Sequence, residues 1–279
     1  MNNSKTNFKP QLPSSGQQIH NDKPNISSVI WLDNVPSNFK PYPKNSKIGF
    51  RNYTWDEIYN YNISKLNHKS LLNFVMSGIF TEGFDKEDLT LGDYTYLGIY
   101  RIISTLGSKH KVIYENFKCP HCGDVINPTV QKDQLNFEEL KVKTSGKAFL
   151  KIKTPIFNED KCVGHSDELS EIMINIPRVS HWIKMIDNNY DLDDEKKLLA
   201  LQMEDLSFEE ANKILNNLEY NDGLKISKID NAFYHGLNPY ELECYKCHKK
   251  TSVELEGVEH LLKPFLEDRP DDSSGVRFE

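Results

Sequence analysis

A chain of 279 residues, 38% of them hydrophobic and 27% charged, has ample material to bury a core as one large domain or two modest ones, so size does not force it to depend on metal. Its formal net charge of −7 opposes a nucleic-acid backbone, and any nucleic-acid role requires a local basic patch. No apolar run has the length of a membrane span and the opening MNNSKTNFKPQ lacks the apolar stretch of a signal peptide, which argues against a membrane role and implies a protein made in the cytoplasm.

Residues 1–27 are rich in Pro, Ser, Asn and Gln and poor in large apolar side chains. They read as a flexible N-terminal arm, or a strap that orders on a partner. Short apolar pieces alternate with Pro-rich turns from 28 to 53, the texture of an extended lead-in. Thr54-Trp55-Asp56-Glu57 has the spacing of a capping box, and Ile58, Tyr61, Ile63 and Leu66 follow at roughly helical intervals, predicting a helix. Leu71 to Phe80 predicts a second apolar helix. Thr90-Leu91-Gly92-Asp93 opens a third, which runs to a stop at Gly107. Apolar on nearly every side, this third helix belongs at the centre of an N-terminal helical domain spanning 28–110.

The texture then changes. Residues 111–166 read as strand, metal knuckle at Cys119 and Cys122, and strand, with AFLKIKTPIF as a further β-like piece. From Glu168 to Leu218 the pattern reads as helical: DELSEIM, HWIKMIDNNY, DDEKKLLALQMEDL, and a helix capped by Ser207-Phe208-Glu209-Glu210. This makes 167–235 a helical insertion. Residues 236–266 repeat the strand and knuckle around Cys244 and Cys247 and close with a strand or helix, and 267–279 form a flexible acidic tail. The expected fold class is α+β, mainly helical, with a four-cysteine zinc-ribbon β element whose two knuckles bracket a helical insertion.

Four of the five cysteines fall in two C-x-x-C pairs, which without a secretory signal point to metal before disulfides. A C-x-x-C turn sets two sulfurs on one side of an ion, and two such turns complete the tetrahedral thiolate shell that Zn2+ prefers. Cys119, Cys122, Cys244 and Cys247 are therefore the expected ligands of one structural zinc. Cys162-Val163-Gly164-His165 is itself a C-x-x-H half-site. It ranks second because it lies in a polar loop and its use would orphan two good ligands. The remaining histidines are scattered. Four thiolates leave no open coordination position for a water, which argues against metal-assisted hydrolysis. No nucleotide-binding, nucleophile-elbow or zinc-protease motif is present. Asp191, Asp193, Asp194 and Glu195 read as an acidic helix N-terminus rather than a catalytic cluster. The expectation is no enzyme and no small-molecule substrate. A nucleic-acid-binding or transcription-related zinc ribbon is the alternative, suggested by Lys246, Lys249 and Lys250 with Tyr245 available to stack.

Three blocks occur in a fixed order. Leu12-Pro13-Ser14-Ser15-Gly16 is followed by Ile48-Gly49-Phe50-Arg51 and the capped helix from Thr54; LTLGDYTYLGIYRIISTLG then leads into CPHC; Gly236-Leu237 precedes ELECYKCHKKTSVELEGVEHLLKPF. This order resembles a family of tail-baseplate proteins of contractile-tailed phages of the T-even type, baseplate hub subunits or hub assembly chaperones. The resemblance implies a non-enzymatic structural or assembly component of the baseplate hub, located in the virion tail and partnered by other baseplate and tail proteins.

Overall fold

The computed structural model describes residues 28–54, 56–57, 67–106, 112–113, 117–126, 129–130, 135–142 and 145–253. The expected arm at 1–27, the tail at 267–279, most of the helix from Thr54 and the closing element after Val253 lie outside those residues. Of the described residues 36% are helical and 28% are in strands, so the fold is an even α+β mixture and not mainly helical. The described residues pack around three apolar clusters.

The first cluster lies between a three-stranded antiparallel sheet and helices. The sheet runs β1 (Ile30–Trp31), β2 (Lys47–Phe50), β3 (Ile79–Glu82), with Phe50 opposite Ile79. Against it pack α1 (His68–Met76) and α2 (Leu91–Leu106). The expected second helix stops early: Gly78 follows α1, and Ile79 and Phe80 belong to β3. Helix α2 is central as expected, burying Tyr94, Leu97, Ile99, Ile102 and Ile103 on successive turns.

Two buried polar residues of α2 break its apolar pattern, and the lead-in supplies partners to each. Asp93 accepts the Ser37 backbone N–H at 2.8 Å and the Tyr42 hydroxyl at 2.6 Å. Arg101 donates through Nε to the Arg51 carbonyl at 2.7 Å, and through Nη1 to the Val75 carbonyl at 3.1 Å, with its guanidinium 3.5 Å above the Tyr53 ring. A Cβ at Gly78 would collide with that guanidinium. Such partners offset the cost of burial; Arg101 Nη2 makes no hydrogen bond and lies 3.6 Å from the Glu57 carboxylate.

The second cluster contains the long hairpin of β9 (Lys147–Asn158) and β10 (Lys161–Asn175). Its inner face, Leu150, Ile152, Ile172 and Ile174, packs on α4 (Glu195–Gln202), α5 (Phe208–Asn216) and α6 (Tyr220–Phe233). The capping box at Ser207 and Glu210 forms as expected. DELSEIM does not become helix; it lies in β10. Its charges fall at helix-like intervals because a register shift between His165 and Leu169 interrupts the two-residue alternation of the strand. The C-x-x-H segment is likewise in strand β10 rather than in a loop without strands. Helix α3 (Val179–Asp187) joins the two clusters: Val179 enters the first, while His181 lies 3.0 Å from Glu204 on the loop after α4.

After α6 the chain returns to the first cluster. The Thr90 hydroxyl donates to His235 Nε2 at 2.7 Å, because His235 Nδ1–H is engaged by the Phe233 carbonyl at 2.7 Å. Gly92 is required there, since a Cβ would strike the His235 carbonyl. β11 (Gly236–Leu237) pairs antiparallel with β8 (Phe137–Glu138). The two ends of the intervening segment are thus held side by side.

Candidate metal centre

The third cluster is built from two short hairpins distant in sequence. β5 (Phe117–Lys118) pairs with β6 (Val125–Ile126), flanked in sequence by the pair β4 (Val112–Ile113) and β7 (Thr129–Val130), and β12 (Tyr240–Glu243) pairs with β13 (Lys250–Val253). Ile126, Leu242 and Val253 close a small core with the buried Cys119 and Cys244. Each hairpin turns through one knuckle of the same construction. In the first, Cys119 N–H donates to the Asp124 carbonyl at 2.8 Å and Gly123 N–H to the Cys119 carbonyl at 2.8 Å. In the second, Cys244 N–H donates to the Lys249 carbonyl at 3.0 Å and His248 N–H to the Cys244 carbonyl at 2.8 Å. Gly123 and His248 occupy equivalent places with positive φ, 74° and 55°.

The structure brings Cys119, Cys122, Cys244 and Cys247 together with all four sulfurs within 4.8 Å of one another. The cross-hairpin pairs Cys119–Cys247 and Cys122–Cys244 are each 3.7 Å apart. That is far beyond the S–S bond of about 2.0 Å in a disulfide. It matches the edge of about 3.8 Å expected for a tetrahedron with metal–sulfur bonds of about 2.3 Å. Cys162 is not among the four: its thiol faces the Gly164 carbonyl at 3.4 Å, and His165 Nε2 donates to the Asn217 carbonyl at 2.8 Å.

Electrostatics favour a cation at the centre of the four sulfurs. Backbone N–H groups, that of Cys247 foremost, draw the Cys244 thiol down to about 7. At Cys122 the Asp124 N–H also favours thiolate, but lost hydration and the three neighbouring thiols outweigh it and push the group up to about 12. Four sulfurs this close cannot all be thiolates without a positive charge among them. The residues fit a soft divalent ion held by four thiolates.

Further contacts that sequence spacing does not reveal bind the two hairpins to each other. Asp124 of the first knuckle accepts the Lys246 ammonium at 2.8 Å and the Tyr245 hydroxyl at 2.5 Å from the second. The Lys246 hydrogen bond, then that of Tyr245, holds the Asp124 carboxyl below its usual range. His121 Nε2 lies 3.3 Å from the Lys250 carbonyl. Of the cluster that suggested nucleic-acid binding, Lys246 is thus paired with Asp124, Lys250 lies 3.2 Å from Glu241, and the Tyr245 hydroxyl is engaged. An Asp directly after C-x-x-C-G was the available signal for the clamp, but its partners lie on the other hairpin.

Among the described residues no helix is long and apolar enough to cross a membrane. A family model described as T4 bacteriophage base plate protein matches residues 29–263. No curated protein and no solved structure matches the chain.

Proposed function

The chain belongs to the T4 bacteriophage base plate protein family, and from that premise we propose that it is a non-enzymatic structural or assembly component of the hub region of a contractile tail baseplate, stapled by one structural Zn2+. Family membership supports a structural role in the phage tail, beside other baseplate and tail proteins. The hub assignment draws on the order of the three sequence blocks.

One observation carries the metal reading: four thiols, none in a disulfide, converge at tetrahedral spacing on two equivalent knuckles. Zn2+ suits such a set because it takes four thiolates without a redox change or a preferred distortion. With four protein ligands the ion offers no place for a substrate, so its work is structural. The paired state of Lys246 and Lys250 weakens the nucleic-acid alternative. Two measurements test the proposal. Elemental analysis with X-ray absorption is expected to give one zinc per chain and an all-sulfur shell at about 2.3 Å; a nitrogen ligand would overturn the assignment in favour of Cys162 and His165. Mass spectrometry of purified tails, with and without the hub, is expected to recover the chain with hub proteins; its presence in hubless particles would remove it from that region.

A further inference from the structure

A histidine completes the start of helix α3. The Arg178 backbone N–H donates to His181 Nδ1 at 3.2 Å, the reach-back bond that Glu or Gln supplies in the common capping box. A ring nitrogen that accepts carries no proton, so the proton of the neutral imidazole sits on Nε2. From there it is donated to Glu204, on the loop after α4, at 3.0 Å. The other Glu204 oxygen accepts the Asn175 amide of β10 at 2.9 Å. The ring itself is wholly buried.

The first two clusters meet around this ring. On one side the start of α3 is bonded to the segment that leads into α2. Leu91 N–H donates to the Pro177 carbonyl at 3.0 Å, Val179 N–H donates to the Leu89 carbonyl at 2.8 Å, and Arg178 lies 3.2 Å from Asp88. On the other side Asn175 and Glu204 adjoin Ile174 and Met203, both in the second cluster. His235 makes a contrast. Its Nε2 faces the Thr90 hydroxyl, which can turn from donor to acceptor when the ring takes a second proton. The partner of His181 Nδ1 is a backbone N–H, which can only donate. A proton on Nδ1 therefore sets two donors face to face, and the bond is lost.

We infer that His181 is an acid-sensitive latch between the first two clusters: neutral, it caps α3 and holds Glu204; protonated, it gives up the cap and loosens the junction. Burial works against the charged ring and the Lys184 and Arg178 charges on α3 add to it; together they outweigh the attraction of Glu204 and hold the group below its ordinary 6.5. Glu204 is 44% exposed, so water screens its pull. Asp88, on the segment before α2, is engaged by Arg178, and β10 offers Glu204 the uncharged Asn175. Below about 6.5 the unfolded chain takes up a proton that the folded chain refuses, so stability falls as pH drops through that value.

Side-chain nitrogen NMR of the full chain is expected to show the Nε2–H tautomer of His181 at pH 7, with the doubly protonated ring emerging on acidification only together with a change at the Arg178 amide. The Nδ1–H tautomer, or a charged ring with the Arg178 amide unmoved, overturns the latch. Denaturant titrations then compare wild type with His181→Gln, which keeps an acceptor for the Arg178 N–H and cannot titrate. From pH 7 to pH 5 the folding equilibrium constant of wild type is expected to fall on the order of tenfold more than that of the variant, and equal falls overturn the proposal. Hydrogen exchange of the wild-type chain places the effect without any substitution. Corrected for the intrinsic pH dependence of exchange, the amides of Leu91 and Val179 are expected to lose protection at pH 5 while those of Ile99 and Ile102 in α2 keep theirs. Unchanged protection at Leu91 and Val179, or equal loss at all four, overturns the latch.

Discussion

His248 holds its backbone at φ 55° where the other knuckle has Gly123 at φ 74°. A residue with a Cβ is strained there by about 1–2 kcal/mol, of which glycine returns part through its freer unfolded chain. His248→Gly is therefore expected to stabilise the metal-loaded protein by roughly 0.5 kcal/mol, read as a small rise in melting temperature. A fall would show that the imidazole, 3.5 Å from Glu243, contributes more than its backbone costs. The cysteines divide in the same assay. Cys119→Ser and Cys244→Ser remove a sulfur from the four and should each cost on the order of 3 kcal/mol. Cys162→Ser changes a thiol whose contact is the Gly164 carbonyl, and should cost far less; equal losses at all three would count against the assigned ligands. The tetrad was legible because the C-x-x-C interval is local and the chemistry of thiolates is specific. The Asp124 clamp and the Arg101 socket were not, because their partners are fixed only once the chain has folded.

At the scale of elements, the helix α2 and the capped α5 were legible from periodicity and capping, whereas β10 was misread where its bulge breaks the alternation. The end of α1 was overrun because Ile79 and Phe80 continue the apolar run and only their pairing with β2 makes them strand. The lead-in and α2 are joined by an ionic contact with a definite pH signature. Burial works against the Glu57 carboxylate, but the two 2.6 Å hydrogen bonds from Arg51, the Thr54 N–H and the Arg101 charge outweigh it and hold the group at about 2, against the usual 4.5. A depressed carboxyl stabilises the folded state fully above its unfolded value, and that contribution disappears as pH falls from about 4.5 to about 2. Glu57→Gln should thus be less stable than wild type at pH 7, with the difference shrinking in denaturant titrations carried towards pH 2.5. Two curves that decline in parallel would refute this origin of the acid sensitivity.

At the scale of the whole molecule, the third cluster is the smallest among the described residues, with five buried, and it is the one that the proposed ion would complete. Chelation in native buffer is expected to raise hydrogen exchange at the amides of Cys119, Gly123, Cys244 and His248 by a factor on the order of 100, leaving those of Leu97 and Ile99 in α2 unaffected. Uniform acceleration through α2 would mean that the ion supports the whole fold. The three-cluster plan was not readable in advance, since contacts such as Thr90 with His235 unite residues 145 apart. Cys122 and Cys244 are themselves separated by 122 positions. At bacterial translation speeds the first knuckle therefore waits some 6–24 s on the ribosome before the second is made. During that interval two thiols stand ready with no counterpart, open to host oxidants and to host metal carriers. A chain truncated before Cys244 holds only two of the four sulfurs, so under the proposed metal reading a bound ion marks that translation has passed the second knuckle.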